Sequence, residues 1–238
     1  MTDAIARPEG GSGLVVAVDG PAGSGKSTAA RGAARALGLR YLDTGAMYRA
    51  LTWWLIGQRV DTGSREAVAA LASRPAIEVG TDPEAPGIRV NGADVAGPIR
   101  SREVSNAVSA VAGVPEVRRR LVAMQRGIIA ETLAAGDGIV AEGRDIGTVV
   151  APEAQVKVFL TASEAVRAQR RSADLSADPA ATVAVTMAEQ ARRDASDAPQ
   201  MARADDAVVI DTSALSLDEV IGQIVALADR RRAGARAW

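Results

Sequence analysis

Residues Gly20-Pro21-Ala22-Gly23-Ser24-Gly25-Lys26-Ser27-Thr28 set three glycines, a lysine and adjacent hydroxyls in the spacing G-x4-G-K-[ST]. The apolar, β-branched run Leu14–Gly20 before them reads as a buried parallel strand. The Ala- and Arg-rich stretch from Lys26 to Leu37, stopped by Gly38, reads as a helix. Between a strand and a helix this spacing makes a phosphate cradle. The glycines let successive backbone N–H groups turn toward one anion, and the helix N-terminus adds its positive dipole end. Lys26 reaches the β- and γ-phosphates, and Ser27 offers a hydroxyl to Mg²⁺. A nucleoside triphosphate with Mg²⁺ is therefore expected here; what receives the phosphate lies elsewhere in the chain.

The composition limits the chemistry. With no Cys and no His, thiol nucleophiles, disulfides, imidazole bases and soft metal sites are excluded, leaving carboxylates, hydroxyls, amides and cations. A net charge of −1 gives no general attraction to nucleic acid or an anionic membrane. No run approaches the roughly 18 apolar residues of a membrane span, and the first residues lack a signal core, so a cytoplasmic protein is expected. Only two of the 28 basic residues are lysine, and one of them is Lys26, where a compact ammonium is required.

The elements that must position this chemistry follow from pattern. Besides Leu14–Gly20, the segments Arg40–Gly45, Gly138–Gly143, Val156–Ala162 and Ala207–Ser213 read as buried strands. Helical stretches separate them, which predicts an α/β fold, a five-stranded parallel sheet flanked by helices. Residues 73–118 interrupt this with short antiparallel strands and a helix striped by Val104, Val108 and Val111; a second helix carries Val117, Leu121, Met124, Ile128 and Leu133. The division expected is a core of 14–72, 119–162 and 207–230, an insert of 73–118, a lid region of 163–206, and loose termini at 1–13 and 231–238.

A second site is expected at neighbouring strand ends, where ligands of open α/β sheets collect. "LDTGAMYRA" places Asp43, Thr44 and Gly45 there and carries Arg49 on the next helix, with Thr44 also a natural helix cap. "EGRDIGTVV" repeats the design with Arg144 and Asp145, which could equally form a local ion pair in a turn. Two arginines beside a phosphate loop point to a dianionic acceptor. The chain lacks the Asn/Thr-Lys-x-Asp segment of a regulatory GTPase, and "AVVID" lacks the paired acids of a remodelling ATPase. A small-molecule kinase remains the leading class, beside a kinase of another metabolite such as shikimate and a non-enzymatic nucleotide switch.

The segments "DGPAGSGKST", "LDTGAMYRA", "GPIRSREVSNAVSAVAGVPEVRRRL", "EGRDIGTVVAPEAQVKVFLTAS" and "DAVVIDTS" together resemble the bacterial cytidylate kinases of the nucleoside monophosphate kinase family, from about Leu14 to Leu227. The resemblance implies a P-loop kinase fold, a monophosphate-binding insert and a helical lid. It also implies phosphorylation of CMP and dCMP by ATP in a monomeric enzyme with no nucleic-acid or membrane partner. It assigns substrate contacts to Asp43, Thr44, Tyr48 and Arg49, cytosine contacts to Ser109, Arg118 and Asp145, and the acceptor phosphate to Arg49 and Arg144. In the lid it assigns Arg193 to phosphates and ribose and Asp197 to the sugar hydroxyls. Lys26, Arg49, Arg144 and Arg193 are the implied catalytic cations. The chain departs from the family's R-D-x-x-D-x-x-R pattern at Gln200, which leaves one transition-state cation unassigned, with Arg203 a neighbouring substitute.

Overall fold

The computed structural model describes residues 13–174 and 182–235. Strand β1 (Val15–Asp19) leads into α1 (Lys26–Leu37), and β2 (Arg40–Asp43) into α2 (Thr44–Gly57) and α3 (Arg65–Leu71). A small antiparallel sheet, β3 (Ile77–Val79), β4 (Ile88–Val90) and β5 (Ala93–Asp94), precedes α4 (Arg102–Ala112) and α5 (Pro115–Ala134). Then come β6 (Ile139–Gly143), β7 (Val156–Thr161), α6 (Glu164–Asp174), α7 (Val183–Asp197), β8 (Val208–Asp211) and α8 (Leu217–Ala235).

All five long-range strands are parallel, in the order β2-β6-β1-β7-β8. Val15 and Ala17 of β1 face one apolar layer, and Val16 and Val18 the other, so both sides of the strand are covered. That double burial is why β1 and β6 read as continuous apolar runs rather than alternating ones, while β7 buries every second residue. Strand β8, one of the two edge strands, differs: Val208 and Val209 stand 43% and 44% exposed, whereas Tyr41 and Leu42 of the other edge strand, β2, are buried.

The register places the chemistry. Asp43 lies opposite Glu142 across β2 and β6, and Asp19 opposite Gly143 across β1 and β6, so three acids reach one edge of the sheet together. Helix α1 packs close through Ala29, Ala30, Ala33 and Ala34, and Gly38 ends it in the left-handed conformation, its N–H on the Ala34 carbonyl.

The insert does not form a separate core. Ile77, Ile88, Val90 and Ile99 share one apolar layer with Leu42, Met47, Leu51 and Leu55. Val104, Val108 and Val111 are buried as their spacing predicts. In α5 the buried line is Val117, Leu121, Gln125 and Ile129, and Met124, Ile128 and Leu133 are only partly covered. A strict i, i+4 line runs through a glutamine, which a search for apolar residues passes over. Position 118 lies inside α5, so insert and core are joined through one helix. Helix α8 continues to Ala235 into the stretch expected to be loose, because Arg232 donates to the Leu37 carbonyl at the end of α1. Residues 1–12 and 236–238 of the expected termini, and 175–181 of the expected lid, lie outside the described residues.

Candidate active site

The phosphate loop is set by backbone approach. A Cβ on Gly20 would stand 2.2 Å from the Leu160 carbonyl oxygen, and one on Gly23, whose φ is +77°, 2.8 Å from the Arg167 oxygen. Only glycine leaves strand β7 and helix α6 that close. Gly25, at φ +84°, starts α1. Lys26 Nζ folds back onto the Pro21 carbonyl at 3.4 Å, and burial and the Arg144 guanidinium hold its ammonium well below the usual lysine range. A phosphate beside it would favour the protonated ammonium.

Glu142, at the end of β6, organises the centre. It accepts from Ser27 Oγ at 2.8 Å and from Tyr41 Oη at 2.6 Å, while its backbone carbonyl accepts from Thr44 Oγ1 at 2.6 Å. Burial and the nearby Asp43 push its carboxyl up. Asp43, not Thr44, caps α2, accepting from Ala46 N at 2.8 Å. The helix begins one residue earlier than a Thr44 cap would require, which frees the Thr44 hydroxyl for the β6 carbonyl. Asp19 accepts from the amides of Ile146 and Gly147, both at 2.8 Å, fixing the wide turn that follows Asp145. Burial raises its pKa to about 6.

Arg144 and Asp145 do not pair with each other. Arg144 donates to the Gly20 carbonyl at 2.7 Å and to Asp197 of α7 at 3.1 Å, and Asp145 pairs with Arg118 of α5. Arg49 reaches from α2 to the Ile99 carbonyl at 3.1 Å and to Ser105 Oγ at 2.9 Å, tying it to the insert. Ser109 Oγ is buried without a partner, a hydroxyl presented to whatever fills the space.

One cavity of about 490 Å³ gathers these groups. Ala22, Gly23, Gly25, Lys26, Ser27 and Thr28 of the loop line it, while Gly20, Pro21 and Ser24 are outside the lining. Asp43, Thr44, Tyr48 and Arg49 line the floor. Ser109, Arg118, Arg144, Asp145, Arg193 and Asp197 line the remainder. All the substrate-contact candidates read from sequence thus meet in one space of ligand size. Arg203 is exposed and outside that lining. Arg167 braces the loop instead, donating to the Ala22 carbonyl at 3.2 Å and pairing with Asp194 of α7.

Sequence reading passed over Glu142, Asp19 and the contacts of Gln200. Glu142 stands inside the quoted "EGRD" segment, and its position at a strand end opposite Asp43 was the available signal. Gln200 lines the cavity and accepts from Arg118 Nη1 at 3.0 Å, which no local pattern announces.

Comparison with known proteins agrees with this geometry. The cytidylate kinase family model matches residues 16–230. The chain is 49% identical over 228 residues to the cytidylate kinase of Streptomyces griseus, covering 94% of this chain and 96% of that protein. It is 52% identical over 225 residues to that of Streptomyces coelicolor, covering 93% and 95%. Among solved structures, a gluconokinase from Sinorhizobium meliloti superposes with a TM-score of 0.51 at 14% identity, covering 94% of this chain and 97% of that one, a likeness of fold alone. A sheet of this order, a phosphate loop facing an arginine-lined floor, and sequence identity along nearly the whole chain place this protein in the cytidylate kinase family.

Proposed function

We propose that this chain transfers the γ-phosphoryl group of ATP to CMP and dCMP, giving CDP and dCDP. The observation that carries this reading is that Lys26, Arg49 and Arg144 line one cavity together with the phosphate loop. Two anions can meet there only if cations hold each of them.

The acceptor phosphate, a dianion near pH 7, attacks the γ-phosphorus in line without needing a general base, consistent with a chain that has no His or Cys. Arg49 and Arg144 hold that phosphate, Lys26 follows the transferring group, and Arg193 adds positive charge from the lid; catalysis is positioning and charge neutralisation. Ser27 Oγ, beside the Glu142 carboxylate and Asp43, is a donor set suited to Mg²⁺, which when bound neutralises the phosphate oxygens.

Cytosine is read by Asp145, Arg118 and Ser109. The exocyclic amino group donates to the carboxylate, while O2 and N3 accept from the guanidinium and hydroxyl. Uracil turns a carbonyl toward Asp145, which disfavours UMP by about 1–3 kcal/mol. Asp197 meets the sugar hydroxyls. Residues 73–118 and the lid of 163–206 close over the core of 14–72, 119–162 and 207–230 to exclude water. No helix among the described residues is long and apolar enough to cross a membrane. We take the enzyme to be a cytoplasmic monomer that acts on small nucleotides.

The test is ADP release from ATP and Mg²⁺ with CMP, dCMP, UMP, AMP or shikimate as acceptor, with Lys26→Ala as the blank. Turnover confined to CMP and dCMP is expected; release independent of acceptor contradicts the reading.

A further inference from the structure

Position 200 is where the family pattern carries an arginine and this chain carries a neutral amide. Gln200 ends the short helical turn Ala198–Gln200 that directly follows lid helix α7. Its Oε1 accepts from Arg118 Nη1 at 3.0 Å, and Arg118 Nη2 pairs with Asp145. The guanidinium of Arg118 is thus gripped from two sides, by an acceptor on the turn after β6 and by one on the lid.

The glutamine oxygen accepts from the Arg118 guanidinium, which an arginine at the same position, having only donors, does not do. Position 200 is thus tied to Arg118. The lid and the insert meet a second time where Arg102 of α4 pairs with Glu189 of α7 at 2.6 Å, which ties α7 to the insert. Two polar atoms there are left for a ligand. Ser109 Oγ is buried without a partner, and Asp145 spends Oδ2 on Arg118.

We propose that Gln200 is a positioning residue for base recognition: its carboxamide oxygen fixes Arg118 in the orientation that meets cytosine, so that the pyrimidine is read only with the lid down. This rests on the assignment of the cavity to CMP. It makes affinity for the acceptor base, more than the phosphoryl-transfer step, depend on a lid residue.

The experiment measures CMP binding by titration calorimetry, and KM and kcat separately, for the wild-type chain, Gln200→Met, Gln200→Glu, Arg118→Met and the Arg118→Met/Gln200→Met double variant. Methionine keeps the length and removes the acceptor; glutamate keeps the acceptor and removes the donor. Loss of one hydrogen bond to a charged group predicts about tenfold weaker CMP binding and a similar rise in KM for Gln200→Met, with a much smaller fall in kcat. Gln200→Glu should recover most of that loss, and Gln200→Met should add little once Arg118 is gone. The proposal is overturned if Gln200→Met binds CMP as the wild type does, if Gln200→Glu is as impaired as Gln200→Met, or if the effect persists undiminished without Arg118. A wild-type chain that does not bind CMP overturns the assignment of the cavity and this inference with it, whereas wild-type binding with any of the other three results removes this inference alone.

Discussion

Ser27 Oγ donates to Glu142 Oε2 at 2.8 Å, joining the hydroxyl that ends the phosphate loop to the acid that ends the neighbouring strand. The bond fixes the hydroxyl's rotamer, and the carboxylate gives the site a second hard oxygen donor. Glu142→Gln keeps the shape and loses the charge. It is expected to raise the Mg²⁺ concentration for half-maximal rate and to lower kcat by about 10²-fold, with a small change in KM for CMP. Initial rates across a Mg²⁺ series at saturating ATP and CMP check this.

Arg144 donates to Asp197 and to the Gly20 carbonyl, two contacts that fix its guanidinium beside the phosphate loop, and the proposed function gives it the acceptor phosphate. Arg144→Met should raise KM for CMP by about 10–100-fold, the cost of a lost hydrogen bond to a charged group. Asp197→Asn should harm CMP more than dCMP, since only the ribose presents a 2′-hydroxyl to that carboxylate. Paired measurements of kcat/KM for the two acceptors decide it.

Asp19 gives a pH signature. Its folded-state pKa is raised from 3.8 to about 6 by burial, against the opposing pull of two amide hydrogen bonds. A raised pKa means that the folded state holds the proton more tightly than the unfolded chain does. The associated stability is fully present below pH 4 and is lost as the pH rises through about 6, a change of about 3 kcal/mol. Asp19→Asn removes this titration, so the difference in Tm between wild type and variant should change across pH 4–6 and level off above pH 7. Thermal melts at fixed ionic strength measure it. A pH-independent difference contradicts the assignment.

Two glycines should respond in opposite directions. A methyl on Gly20 meets the Leu160 carbonyl at 2.2 Å, and backbone cannot yield as a side chain does. Gly20→Ala is expected to destabilise by about 2 kcal/mol or more and to abolish tight ATP binding. Gly127 in α5 has open space around its Cβ position, and Gly127→Ala should stabilise by roughly 0.5–1 kcal/mol. Denaturant midpoints of the two variants provide the comparison.

What the sequence made legible was whatever is written locally. The phosphate loop is contiguous, and strands β1, β2 and β6 announce themselves as short apolar runs because both faces are covered, whereas β7 buries alternate residues only. Edge strand β8 shares that composition without the burial, because runs of valine do not say which strand is last in the sheet. Partner choice was illegible for a different reason. Arg144 and Asp145 look like a pair in one turn, yet each bonds to a residue far along the chain, Asp197 and Arg118, because the turn at 146–150 splays them toward different helices. Gln200 could be seen as a departure from the family pattern, but its bond to Arg118, 82 residues away, exists only once α5 and the lid are packed together.

The central claim is direct transfer between two nucleotides in one cleft, and ³¹P NMR of the running reaction tests it most directly. With ATP, Mg²⁺ and CMP, the account predicts that the CMP resonance is replaced by the α- and β-resonances of CDP in step with ADP formation, with no inorganic phosphate and no signal change for Lys26→Ala. Inorganic phosphate accumulating while CMP persists would contradict it.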